Sequence, residues 1–181
     1  FNRFQIIDGK ICMVANTSQH PNELYQFDLK KKAFKRLTVS NPWLSEIDLA
    51  RQEKISYEAR DGLTIEGVLQ YPIDYNPKQK YPMICVIHGG PESCIKNGWT
   101  TSYSRWGNIA AAEGYFVFMP NYRASSGRGV AYSKLDHMDL GDEEFLDVID
   151  GIEYLANEGL IDKNKVGIGG GSYGGYFSAL G

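Results

Sequence analysis

The sequence predicts an α/β fold with a mainly parallel sheet, preceded by a small all-β region, and three observations predict it. Short strand-type runs recur at 83–87, 115–119 and 165–169. Helical patterns fall between them, at 101–113 and at 142–157. Residues up to about 40 carry no helical period, only short alternating runs broken by turn residues. Strands that alternate with amphipathic helices need crossover connections, which places them in one parallel sheet with helices on its faces.

The all-β region comes first. Strands are expected at 4–7, 11–17, 23–29 and 34–37, separated by Asp8-Gly9, by Gln19-His20-Pro21-Asn22 and by Lys30-Lys31-Lys32. Four short strands with tight connections have the size of one β-propeller blade. Residues 1–40 are therefore read as the terminal blade of a propeller, 41–52 as a linker and 53–181 as the start of an α/β domain. A lone blade cannot bury both of its faces, so further blades are expected before Phe1. The chain also starts without Met, inside a strand pattern, and stops inside a helical one. It is expected to be a piece of a longer protein.

In the second region, runs at 55–59 and 63–71 flank Asp61-Gly62, a hairpin signal. The run 83–87 is continuously apolar, as a strand covered on both faces requires. In the helix expected at 101–113, Tyr103, Trp106, Ile109 and Ala110 share a face, and Gly114 ends it. In 142–157, Phe145, Val148, Ile149, Ile152, Leu155 and Ala156 form a stripe. Asp142, Glu143 and Glu144 there suit the positive end of the helix dipole.

Composition excludes several functions. The net charge of −3 comes without a basic stripe, so nucleic acid is not an expected partner. No apolar run approaches the ~20 residues of a membrane span. Cys12, Cys85 and Cys94 have no disulfide or zinc spacing, and Cys85 lies within a buried run as a free thiol. No cofactor or metal is expected, and a cytoplasmic location is.

Ligands of such sheets bind beyond the carboxyl ends of the strands, here at 88–98, 120–141 and 170–175. Gly170-Gly171-Ser172-Tyr173-Gly174 reads G-x-S-x-G between a strand and a helix. A nucleophilic serine needs such a sharp turn to raise its Oγ above the sheet, with glycines letting the backbones pass closely. The same residues satisfy G-x-G-x-x-G through Gly169, Gly171 and Gly174, a dinucleotide pattern that leaves Ser172 without a role. His88-Gly89-Gly90-Pro91 follows the strand 83–87 as an oxyanion loop would. The donors expected are the N–H of Tyr173 with that of Gly89 or Gly90. His88 precedes Ser172, whereas the base of such hydrolases follows the serine in chain order. His88 is read as structural or substrate-facing, and Arg123 as a buried arginine bridging loops, with contact to substrate carbonyls as its functional reading.

Taken together, Ile87-His88-Gly89-Gly90-Pro91, Asn121-Tyr122-Arg123-Ala124-Ser125, residues 141–150, Val166-Gly167-Ile168-Gly169-Gly170 and Ser172-Tyr173-Gly174-Gly175-Tyr176 resemble the prolyl oligopeptidase family of serine peptidases in order and spacing. The resemblance implies an α/β-hydrolase domain behind a propeller that restricts access to short peptides. A homo-oligomer is a separate expectation for the full-length form. It implies Ser172 as the nucleophile, with main-chain donors at Tyr173 and Gly89. Dipeptidyl-peptidase members place a tyrosine where this chain has His88, which points to the acylaminoacyl-peptidase branch. Ala124 stands where glycine is usual, and Gly171 where tryptophan often sits. The family's triad Asp and His lie well beyond the serine, and this chain ends nine residues after it. The resemblance thus implies that residues 1–181 alone are inactive. A carboxylesterase of the same fold, or a binding protein that has lost the triad, are the competing readings.

Overall fold

A computed structural model describes residues 3–102 and 105–181. The chain divides into two compact units, Phe1–Leu49 with Asn97–Trp99, and Ala50–Lys96 with Thr100–Gly181.

The first unit is an antiparallel sheet in which β1 (Arg3–Ile7), β2 (Lys10–Thr17), β3 (His20–Asp28) and β4 (Ala33–Arg36) pair in sequence order. The β2–β3 turn is tighter than expected, because His20 already pairs with Thr17 and Pro21 follows inside the strand. Glu23 is buried and gathers the strand ends. It accepts hydrogen bonds from Thr38 Oγ1, from Ser40 N at 2.7 Å and from Arg36 Nη2 at 3.0 Å. These donors, that of Thr38 foremost, hold its carboxyl down at about 2.

The second unit holds β5 (Gln52–Glu58), β6 (Thr64–Gln70), β7 (Tyr81–Ile87), β8 (Phe116–Asn121) and β9 (Ile161–Gly170) in the order β5-β6-β8-β7-β9. The hairpin β5–β6 joins β8 antiparallel, while β8, β7 and β9 run parallel. Fully buried Met83, Cys85, Phe116 and Phe118 form the middle of the sheet, as their apolar runs require. Burial pushes the Cys85 thiol far up, so it is an inert core residue, and all three cysteines are free.

The helix after β7 is shorter than expected. It spans α1 (Gly107–Ala112) and buries Gly107, Ala110 and Ala111, whereas Ile109 points outward; Tyr103 lies outside the described residues. The segment after β8 is not wholly irregular, since α2 (Val130–Ser133) interrupts it. α3 (Glu143–Asn157) packs beside β5 and β9 and buries Glu144, Asp147, Val148, Gly151 and Leu155. Its inward stripe therefore includes two carboxylates. α4 (Tyr173–Leu180) follows β9 after a single turn. No helix among the described residues is long and apolar enough to cross a membrane.

Candidate active site

The turn between β9 and α4 is built around the carbonyl of Ile87, the last residue of β7. Gly170 pairs with Ile87 in the parallel ladder. A Cβ at Gly170 or at Gly174 would collide with the Ile87 oxygen, so both positions require glycine. A Cβ at Gly171 would meet nothing within 4 Å, which is why the larger side chain usual in the family could sit there. Between these glycines Ser172 takes φ 58° and ψ −121°, a conformation that L-residues adopt only when the surroundings impose it. Its side chain is exposed. A dinucleotide-binding turn has no use for a strained, exposed serine at this point.

Gly89 lies directly against the serine. A Cβ there would stand 3.0 Å from Ser172 Cβ and 3.5 Å from its Oγ. Tyr173 is the first residue of α4, so its N–H has no helical acceptor. Ser172, Gly89 and His88 share a cavity of about 240 Å³ with Val86, Ile95 and Arg105.

His88 does not open into that cavity as a free imidazole. It is 5 % exposed and stacks on Tyr122 with ring centroids 4.4 Å apart. Its Nδ1 lies 3.0 Å from the Gly89 carbonyl, which can only accept, so Nδ1 carries the proton. Its Nε2, 2.9 Å from Ser125 Oγ, then accepts from that hydroxyl. Burial, with the charge of Arg105 behind it, lowers the pKa of the ring and keeps it neutral. Both nitrogens are thus spent inside the protein. The expectation that His88 faces substrate is corrected: it anchors the loop. Tyr122 Oη donates to the His88 carbonyl at 2.8 Å, and Asn121 Oδ1 accepts from Ile95 N at 2.7 Å. Loops from two strands are locked together by these bonds.

Arg123 is also buried, and it meets carboxylates rather than an open cleft. Its Nε and Nη2 bind the two oxygens of Asp147 at 2.9 and 2.7 Å, and its own N–H donates to Asp147 at 2.7 Å. Asp61 at 3.0 Å and Glu143 at 3.1 Å complete its shell. The hydrogen bonds that it donates to Asp147 hold the guanidinium firmly protonated. The loop-bridging role is what this geometry provides, so the substrate-facing expectation is corrected here too. Ala124 follows at φ 70° with no exposed surface, a backbone state that accounts for glycine being usual there.

Sequence reading missed Glu144 and Asp147, which it assigned to the helix dipole or left unmentioned. Glu144 is fully buried; its Oε1 accepts from Tyr173 Oη and from the Gly141 N–H at 2.5 Å, while Oε2 has no partner among the described residues. It thereby ties α3 to the start of α4. Burial and this carboxylate both drive the Tyr173 phenol strongly upward, so it stays a donor. The signal was present, since positions 144, 148, 151 and 155 continue one helical face. Arg105 was missed as well, because nothing local marks it.

Residues 101–180 match the model of the prolyl oligopeptidase family. Dipeptidyl-peptidase 5 of Porphyromonas endodontalis is 34 % identical over 173 residues, covering 94 % of this chain and 25 % of that protein. The chain belongs to the prolyl oligopeptidase family. Mouse dipeptidyl peptidase 8 is 36 % identical over 136 residues, 74 % of this chain and 15 % of its own length. Among solved structures, the acylaminoacyl peptidase of Pyrococcus horikoshii superposes with a TM-score of 0.84 at 25 % identity, covering 99 % of this chain and 28 % of that one. The fold of this family member is therefore an α/β-hydrolase arrangement behind a blade-like sheet. Relatives come from both branches, so the residue at His88 does not assign one. The chain spans about a quarter of the length of the first of these relatives.

Proposed function

We propose that this chain carries the nucleophile and the oxyanion site of a serine peptidase acting on short peptides. Ser172 Oγ attacks the scissile carbonyl carbon, and its proton passes to a general base. The oxyanion formed accepts hydrogen bonds from the N–H groups of Gly89 and Tyr173. The C–N bond then breaks, the base returns its proton to the leaving amine, and an ester on Ser172 remains for water to hydrolyse. The observation that carries this reading is the exposed serine at φ 58°, ψ −121° with the Gly89 backbone against its side chain.

The base is not among the histidines present. His20 is bound to Pro21 O and Tyr25 Oη in the first unit, His88 is spent as described, and His137 borders a different hollow with Gly90, Glu92 and Asp136. The base and the acid that orients it therefore come from chain outside residues 1–181, and the isolated chain does not turn over peptides. Without its base a triad loses most of its rate, on the order of 10⁶ in the limiting case.

The test is fluorophosphonate labelling of the longer protein. Labelling that disappears in Ser172→Ala, together with loss of peptide turnover, is the expected result. Labelling that persists in that variant, or turnover by residues 1–181 alone, overturns the proposal. Cleavage of simple esters with no cleavage of any short peptide would instead establish the esterase reading.

A further inference from the structure

The cavity at Ser172 has a charged wall that the chemistry above does not use. Arg105 lines it. The other lining groups are apolar side chains, glycine backbone, the serine itself and His88, held neutral by its hydrogen bonds. Arg105 is thus the one formal charge on this cavity among the described residues. It is exposed, and no ion pair among the described residues engages it.

Its place is fixed by its neighbours. The Arg105 N–H donates to Ser102 O at 3.1 Å. The Trp106 indole covers Gly169, where any side chain would strike it, so the segment is seated on the end of β9 one turn before the nucleophile. A guanidinium held there faces the space that a substrate must enter. Guanidinium binds carboxylate through two parallel N–H···O bonds, roughly twice as strong as neutral ones, and a neutral, part-enclosed wall weakens the competition from water.

We infer that Arg105 is a specificity-determining residue that binds a carboxylate of the peptide substrate in the cavity at Ser172. The carboxylate is either an acidic side chain beside the scissile bond or the free C-terminus of a short leaving segment. The inference rests on the serine-peptidase reading for its place in catalysis, but anion binding can be read without turnover.

Two measurements test it. In the first, the longer protein is titrated calorimetrically with N-acetylglycine and with N-acetylglycinamide. The acid is expected to bind about tenfold more tightly than the amide, the difference one charged pair makes. Arg105→Gln should erase that preference and Arg105→Lys retain part of it. Equal affinity for acid and amide, or an unchanged preference in Arg105→Gln, overturns the inference. In the second, the longer protein is assayed on peptides paired as Glu against Gln beside the scissile bond, and as free acid against amide at the C-terminus. The pair whose kcat/KM ratio falls about tenfold in Arg105→Gln identifies the source of the carboxylate. A protein that fluorophosphonate does not label but that binds the acid selectively refutes the serine reading alone. One that is labelled yet shows no charge preference in either pair refutes the Arg105 assignment alone.

Discussion

The two units solve the same problem, covering a sheet, to very different degrees. In the second, β7 and β8 are sealed on both faces, and Met83, Cys85, Phe116 and Phe118 have no exposed surface. In the first, Phe4 remains 67 % exposed, Ile6 63 % and Phe34 58 %, and only Met13 and Ala15 are buried apolar strand residues. At roughly 25 cal/mol per Å² of apolar surface, the first sheet gains little from its own burial. Its buried polar cluster gathers the strand ends around Glu23, whereas the second unit adds an ionic knot to a fully buried apolar core. The polar clusters thus do different work in the two: one ties strand ends together, the other locks loops onto a packed core.

Breaking the ionic knot is the sharpest way to test that contrast. Asp147→Asn leaves the buried Arg123 guanidinium without its main partner, and should cost the second unit about 3–5 kcal/mol. Urea dependence of hydrogen exchange in β7 and β8 reads the loss, and hydrogen exchange in β1–β4 should not change with it. Acid gives the next effect, with opposite signs in the two units. The Glu23 carboxyl is lowered from 4.5 to about 2, so the stability it contributes is present above 4.5 and is lost as pH falls from 4.5 towards 2. Hydrogen exchange of β2 and β3 should accelerate over that window, and Glu23→Gln should remove the acceleration. Asp136, in the second unit, is raised by burial and by the nearby Glu144. Its ionised form opposes folding, so stability rises as pH falls through its folded value. Asp136→Asn should therefore melt higher than the parent at neutral pH. The smallest effect is expected for Ala124→Gly: relief of the left-handed backbone and loss of a buried methyl nearly cancel, leaving a change within about 1 kcal/mol.

The same contrast governs how much could be read from the sequence. β7, β8 and the serine turn were legible because each is a local signal: an unbroken apolar run, or glycines at fixed offsets around a serine. β9 begins at Ile161, well before the expected 165, because Asp162-Lys163-Asn164-Lys165 reads as a loop while Ile161 pairs with Tyr81. The helix after β7 was drawn too long, since Trp106 and Ile109 fit a helical face although Trp106 packs on Gly169 instead. The motifs mark Ser172, Tyr173 and Gly89, and the structure sets Gly89 against Ser172. For His88 and Arg123 the sequence leaves a buried role and a substrate-facing role open, because whether a polar side chain turns inward depends on partners 24 to 37 residues away. Glu144 was missed for the same reason.

Ile87 contributes one more property to the site. Its carbonyl is the surface on which Gly170 and Gly174 both rest, and His88 and Gly89 continue directly from it. The serine turn and the loop that carries Gly89 are therefore mounted on a common pivot. A shear of β9 along β7 would break the contact of Gly170 with Ile87, so the separation of Ser172 from Gly89 depends on that pairing.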